Sequence, residues 1–328
     1  MSTSSLDAPD ISYQVDEAAL RDPEGFLERA TDIPSAASRH RIPLEAAGIM
    51  DQQISLRLLD LAGPPDGLRL NGTVSATAML DGDHRGVHMS RIVEAVSAAE
   101  GQVWSSLSAA VEELAADVAR RQSAARAAVS VQGTVRFPRQ TRVTGRTSPD
   151  SLGLHAAGVF AREEATSRVG LTATIMTACP CTRAYSWYSA IMAVAEVAGL
   201  ETANLVAGRL ETFTHSQRAF VTVTADAGPG GISLSDAYGA VTAATHLVQE
   251  LLKRPDEHDL VRRAHARPQF TEDVVRDVAA ELASRVSGSA APSARVTIES
   301  SALESIHAHA VHSRLDLTLE EISECLNS

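Results

Sequence analysis

The sequence is short of aromatic residues, which make up 4% of its 328 positions. Six Phe, four Tyr and two Trp leave little material for the stacking platforms that hold single-stranded bases. A basic excess is missing too. Lys and Arg total 29 against 41 Asp and Glu, giving a net charge of −12. With no long basic run, nucleic acid and membrane surfaces are not expected partners, and an anionic ligand would need a local basic cluster. Cysteine is scarce, at Cys179, Cys181 and Cys325 only. The first two are too close for an ordinary disulfide, so a cytoplasmic setting with thiols available for chemistry is expected. The N-terminus lacks the basic-then-apolar order of a signal peptide. The most apolar stretch, residues 190–200, is broken by Glu196, so no membrane span is expected.

What is present suffices for a sizeable core. Hydrophobic residues are 44% and charged residues 21%, within the range of one large or two smaller folded domains. Residues 1–40 are polar and aperiodic and read as an arm. Ile54, Leu56 and Leu58 alternate with polar residues, as do Val74, Ala76 and Ala78 after Asn71-Gly72. That predicts a hairpin over 52–81. Val103, Leu107, Val111, Leu114 and Val118 recur at helical spacing. Val129 to Phe137 alternate as a half-buried strand that Pro138 is expected to end.

A similar order follows. Leu171, Ala173 and Ile175 predict a strand running into Cys179, and Val221, Val223 and Ala225 another. Leu234, Ala237, Val241, Ala244, Val248 and Leu251 predict one helix of about five turns, ended by Pro255. Val275, Val278 and Leu282 mark a helix after Pro268, and Val296 and Ile298 a late strand. Stretches 227–231 and 287–293 read as loops. The fold class is therefore α+β, with two tandem pseudo-repeat halves of antiparallel strands and paired helices. The halves are set at 41–160 and 161–314, with a tail over 315–328.

Several residues could carry chemistry. Cys179-Pro180-Cys181 sits where a strand gives way to a helix, and helix N–H groups there stabilise negative charge on sulfur. His215-Ser216-Gln217-Arg218 precedes the Val221 strand. Lys253-Arg254-Pro255-Asp256-Glu257 forms a charged cluster, read alone as the solvated end of the preceding helix. His307 and His309 would share a face of an extended segment after Glu304. Glu272 opens a helix, where a carboxylate often only complements the dipole. Singly, each has an ordinary structural reading. Together, thiol, imidazole and carboxylate are the donors of a Zn²⁺- or Fe²⁺-type site. Basic neighbours beside them point to hydrolysis of a phosphorylated substrate.

Six segments in order, GVHMSR (86–91), TACPCT (177–182), THSQR (214–218), LLKRPDE (251–257), FTEDVVRDVA (270–279) and ESIHAH (304–309), make the chain resemble type IB GTP cyclohydrolase I. That family includes the archaeal branch forming a dihydroneopterin cyclic phosphate. The resemblance implies a tunnelling fold, a homotetramer and a divalent Fe²⁺, Mn²⁺ or Zn²⁺ held by Cys179, His215, Glu257 and His307. It implies that Cys179, Cys181, Glu304 and His309 serve the reaction, and that Glu272 anchors the guanine edge. A carboxylate accepting two N–H bonds suits guanine and not adenine. Lys253, Arg254, Arg218 and Arg91 are the implied candidates for contacts with the triphosphate, or for the subunit contacts that frame it. The implied reaction is hydrolysis of the imidazole ring of GTP, with loss of formate, to 7,8-dihydroneopterin triphosphate or the 2',3'-cyclic phosphate. A diverted purine or pterin enzyme, a catalytically silent binding protein and a thiol redox protein are the alternatives. The 36-residue interval from Cys179 to His215 holds an inserted-looking stretch, 187–211. Leu317, Leu319 and Ile322 are expected to pack a tail helix on a neighbouring subunit.

Overall fold

A computed structural model of the chain describes residue 21 and residues 32–61, 63 and 66–328. The expected arm, 1–40, lies largely outside them. Nine strands form one sheet: β1 (Leu44–Leu58), β2 (Leu68–Leu80), β3 (Val103–Trp104), β4 (Arg126–Gln140), β5 (Thr147–Ala161), β6 (Glu164–Ala178), β7 (Ser216–Asp226), β8 (Arg295–Ala302) and β9 (Val311–Thr318). The helices among the described residues are α1 (Met89–Glu100), α2 (Leu107–Gln122), α3 (Pro180–Ala207), α4 (Leu234–Ala244), α5 (Arg254–Ala266), α6 (Thr271–Arg285) and α7 (Leu319–Asn327). The sheet order is β3-β1-β2-β4-β5-β6-β7-β8-β9, antiparallel throughout except for the β1–β3 pair. The mixed α+β class is as the pattern predicts.

Strand alternation sorts the sheet into two faces. Leu171, Ala173 and Ile175 of β6 and Val221 and Val223 of β7 are buried in the core, on which α2, α4 and α6 pack. Burial of each large aliphatic side chain contributes roughly 1.5–3 kcal/mol. The intervening residues make a polar face tied by side-chain bonds. Thr172 Oγ1 lies 2.9 Å from Thr222 Oγ1, and His155 Nε2 lies 2.7 Å from Thr224 Oγ1.

Several boundaries differ from the pattern. Asn71-Gly72 lies inside β2, and the hairpin turn falls earlier, after Leu58. Gly72 is needed there because a Cβ would strike the Gln132 carbonyl of β4. Val103 belongs to β3, beside β1, and not to a helix. Pro138 does not end β4; it stands opposite Pro149 of β5. β2 pairs with β4 only as far as Val135, and β6 with β5 only from Gly153, so the two missing N–H groups cost no ladder bond.

The five-turn helix stops at Ala244. Thr245 is extended (φ −131°, ψ 177°), and its hydroxyl donates back to the Val241 carbonyl at 2.7 Å. The chain then bonds β6, with Leu247 bridging Ile175, so Val248 and Leu251 share the helical spacing without being helical. Pro255 opens α5 instead of closing α4. Lys253 and Arg254 thus stand at a helix N-terminus, the unfavourable end for cations. Leu319 and Ile322 of α7 are buried against this chain's own core, correcting the expected contact with a neighbour.

The inserted-looking stretch is part of α3. This helix is 28 residues long with a best-window hydropathy of 1.4, long and apolar enough by those two measures to cross a membrane. Gly199 is non-helical at φ 82° and divides it. The Trp187 indole donates to the Ala207 carbonyl at 3.0 Å, so the second part folds back on the first.

Candidate active site

Antiparallel register decides which chemical groups meet. Ala178 at the end of β6 pairs with Ser216 at the start of β7, and the Cys179 N–H donates to the His215 carbonyl at 3.3 Å. Across β7, Ala219 pairs with Ala302, and Leu303 N–H donates to the Arg218 carbonyl at 2.9 Å. Three strand ends therefore deliver Cys179, His215 and the Glu304–His307 segment to one edge of the core. The N-terminus of α6 brings Glu272 to the same place. Cys179, His215, Gln217, Glu272, Glu304 and His307 line a single cavity of about 180 Å³.

Local structure fixes several of these groups. Cys179 is the N-cap of α3, and its Sγ accepts the Thr182 N–H at 3.5 Å. The Gln217 amide Nε2 donates to Glu304 Oε1 at 3.0 Å, which leaves its Oε1 facing His215 Nδ1 at 3.2 Å. An amide oxygen only accepts, so this contact selects the tautomer with the proton on Nδ1, in which Nε2 has the lone pair. The Ser305 hydroxyl also lies 3.2 Å from Nδ1. Glu272 sits in the first turn of α6 and accepts the Thr271 hydroxyl at 2.9 Å. The cavity wall includes Thr177, which is buried with an unpartnered Oγ1.

The other candidates lie elsewhere. Cys181 is exposed on α3 and outside the cavity lining. His309 also lies outside, but its ring stacks on His307 with centroids 5.4 Å apart. Both histidines stand in the bent loop between β8 and β9, not on an extended segment. Glu257, Lys253 and Arg254 open α5 and do not line the cavity. Arg218 is exposed on β7, and Arg91 lies on α1, which packs near the other end of the sheet. Among the described residues no three His, Cys, Asp or Glu side chains are close enough to hold one ion, so the set Cys179, His215, Glu257 and His307 is not assembled.

Two residues escaped the sequence reading. Gln217 lies two positions from His215 on a strand, and period two puts both on one face. Asp256, not Glu257, is the buried acid of the α5 start. It accepts the N–H groups of Val143 and Thr144, each at 3.0 Å, and the Thr144 hydroxyl at 2.6 Å. Its signal is an acid at the third helical position, the reciprocal partner in a capping box.

A thiol, two imidazoles and two carboxylates line one small cavity, and these are side chains able to exchange protons. The sequence profile of the family described as "Type I GTP cyclohydrolase folE2" matches residues 30–313, and the chain belongs to this enzyme family. Among relatives, "GTP cyclohydrolase FolE2" of Macrococcus caseolyticus is 28% identical over 299 residues, 88% of each chain. "GTP cyclohydrolase MptA" of Methanobrevibacter smithii is 28% identical over 265 residues, 77% of this chain and 84% of that one. A solved uricase from Bacillus fastidious aligns with a TM-score of 0.47 at 9% identity, over 89% of this chain and 98% of that chain.

Proposed function

We propose that this chain hydrolyses the purine imidazole ring of GTP, releasing formate and leaving 7,8-dihydroneopterin triphosphate. The observation that carries this reading is the shared cavity of Cys179, His215, Glu272, Glu304 and His307 in a chain of this family. Glu272 is placed to accept two guanine N–H bonds, a directional and charge-assisted contact. Glu304, tied to Gln217, is the proton carrier of the ring-opening steps at the cavity wall. Cys181 and His309 act, in this reading, from just outside the lining. Lys253, Arg254, Arg218 and Arg91 remain expected triphosphate contacts only if a second subunit brings them to the cavity.

The donor set fits one divalent ion in kind. Cys179 Sγ, the free Nε2 of His215 and an imidazole nitrogen of His307 are borderline-soft donors suited to Fe²⁺, Mn²⁺ or Zn²⁺ to differing degrees. Gln217 supplies the outer support that holds His215 in the ligating tautomer. When bound, the ion supplies Lewis acidity toward the ring being hydrolysed. Glu257 completes the set in the family reading, and a closer approach than this chain shows is required of it.

We further infer a tunnelling fold with tandem halves 41–160 and 161–314 and a tail over 315–328, assembled as a homotetramer in the cytoplasm. The exposed apolar side chains of α3 support self-association, and three free cysteines support a reducing compartment. The second product reading is the cyclic phosphate of the archaeal branch, because an archaeal relative matches at the same 28% identity. Incubating protein reconstituted with each metal and GTP, with formate assay and mass analysis of the pterin, tests both. Formate with a triphosphate-mass pterin is expected. A cyclic-phosphate mass selects the second product, and no formate with any of the three metals rejects the activity.

A further inference from the structure

A second cavity, of about 400 Å³, lies beside the first, behind the same two segments of chain. Arg183 is one helical turn beyond Cys179, and Thr212 lies three residues before His215. Arg183, Arg209, Glu211, Thr212, Arg262 and His265 line it. Three guanidinium groups thus face a single carboxylate. Glu211 bonds Arg262 at 2.8 Å, and Asp259 stands near Arg262 as well. Arg183 and Arg209 have no ion pair among the described residues. In a chain of net charge −12, two unpaired arginines converging on one cavity are an exception that asks for an anion.

The cavity also holds donors without acceptors. Arg183 Nε is buried and makes no hydrogen bond. Thr212 is 9% exposed, and its hydroxyl is likewise buried and unpartnered. Buried polar groups without a partner are costly, and both belong to residues that line this cavity. His265 is buried in the wall, with Nδ1 2.7 Å from the Val261 carbonyl and Nε2 3.0 Å from the Thr214 carbonyl.

We infer that this cavity binds a phosphoanion, with Arg183, Arg209 and the Thr212 hydroxyl as its donors and Arg262 as a charge shared with Glu211. Planar guanidinium forks match phosphate oxygens bidentately, which a carboxylate-poor cavity leaves them free to do. The source is either the polyphosphate end of the nucleotide substrate or free inorganic phosphoanion. The first source rests on the GTP reading above; the site itself does not.

Inorganic tripolyphosphate is the probe. Titration calorimetry on the full chain should show binding that weakens about tenfold in Arg183→Gln and in Arg209→Gln. Thr212→Val should weaken it several-fold, and added salt should weaken it further. Arg41→Gln, an equal charge loss at an exposed ion pair with Asp83, should leave it unchanged. Thermal melts of each variant check that the fold is kept, and Arg209→Lys should restore part of the affinity. No binding, or binding in both arginine variants as tight as in the unaltered chain, overturns the site. Competitive inhibition of GTP turnover by tripolyphosphate assigns it to the substrate's tail, and binding without competition assigns it to free phosphoanion. Failure of formate release with arginine-dependent binding intact would reject the GTP reading alone.

Discussion

The site depends on a few side chains whose partners fix their protonation. Gln217 is the clearest, because its amide is bonded at both ends, to His215 and to Glu304. Gln217→Leu should lower metal affinity roughly 10–100-fold by freeing the His215 ring to adopt the wrong tautomer, readable by metal titration and by formate release. Unchanged affinity would show that His215 needs no such support. Cys179→Ala should abolish turnover and weaken metal binding; full activity would remove the thiol from the chemistry. These roles were legible only in part. Cys179 and His215 stand out in sequence because a thiol and an imidazole can ligate a metal or carry a proton, whereas a glutamine amide does neither readily.

At the level of elements, one carboxyl ties α5 to the β4–β5 loop. Burial pushes the Asp256 carboxyl up, but the Thr144 hydroxyl and the N–H groups of Thr144, Val143 and Lys253 outweigh it and hold its pKa at about 2. A depressed carboxyl favours the fold while ionised. Its contribution is complete above the unfolded value near about 4 and is lost as pH falls toward about 2. Acid unfolding should therefore steepen over that window. Asp256→Asn should be less stable at neutral pH and flatter between those limits; an unchanged acid profile would count against the contact. Helix and strand existence was readable here from apolar period, but the boundaries at Ala244 and Pro255 were not. Val248 is half-buried and Leu251 exposed, so their helical spacing reflects no shared core-facing stripe.

For the molecule as a whole, half-buried His155 and buried His246 set a second pH window. Burial lowers the His155 pKa, with Glu299 opposing and Arg168 assisting. Burial likewise lowers that of His246, against the Arg267 carbonyl and with Arg263 and Arg267. Both are held neutral in the fold. Their contribution is present above the unfolded value of about 6.5 and falls away as the pH drops below it. Melting temperature should fall from pH 7 to pH 5, and less so in His155→Gln, which retains a partner for Thr224. Assembly is tested on α3, where Val197, Leu200 and Leu205 are 89%, 72% and 74% exposed and only Ala203 of 28 residues is buried. Sedimentation should show an oligomer that Val197→Glu with Leu200→Glu disperses; a monomeric parent chain would overturn self-association.

Composition, alternation and six ordered segments were enough to determine an α+β chain and its family, because these depend on local chemistry and near-neighbour spacing. Tertiary structure decided which of the reactive groups meet. Cys179, His215, Glu272, Glu304 and His307 converge because β6, β7 and β8 are antiparallel neighbours that end beside the start of α6. Glu257, Lys253 and Arg254 diverge because their segment begins a helix whose buried acid is turned toward another loop. Strand register and helix polarity are long-range properties, and no short window of sequence contains them.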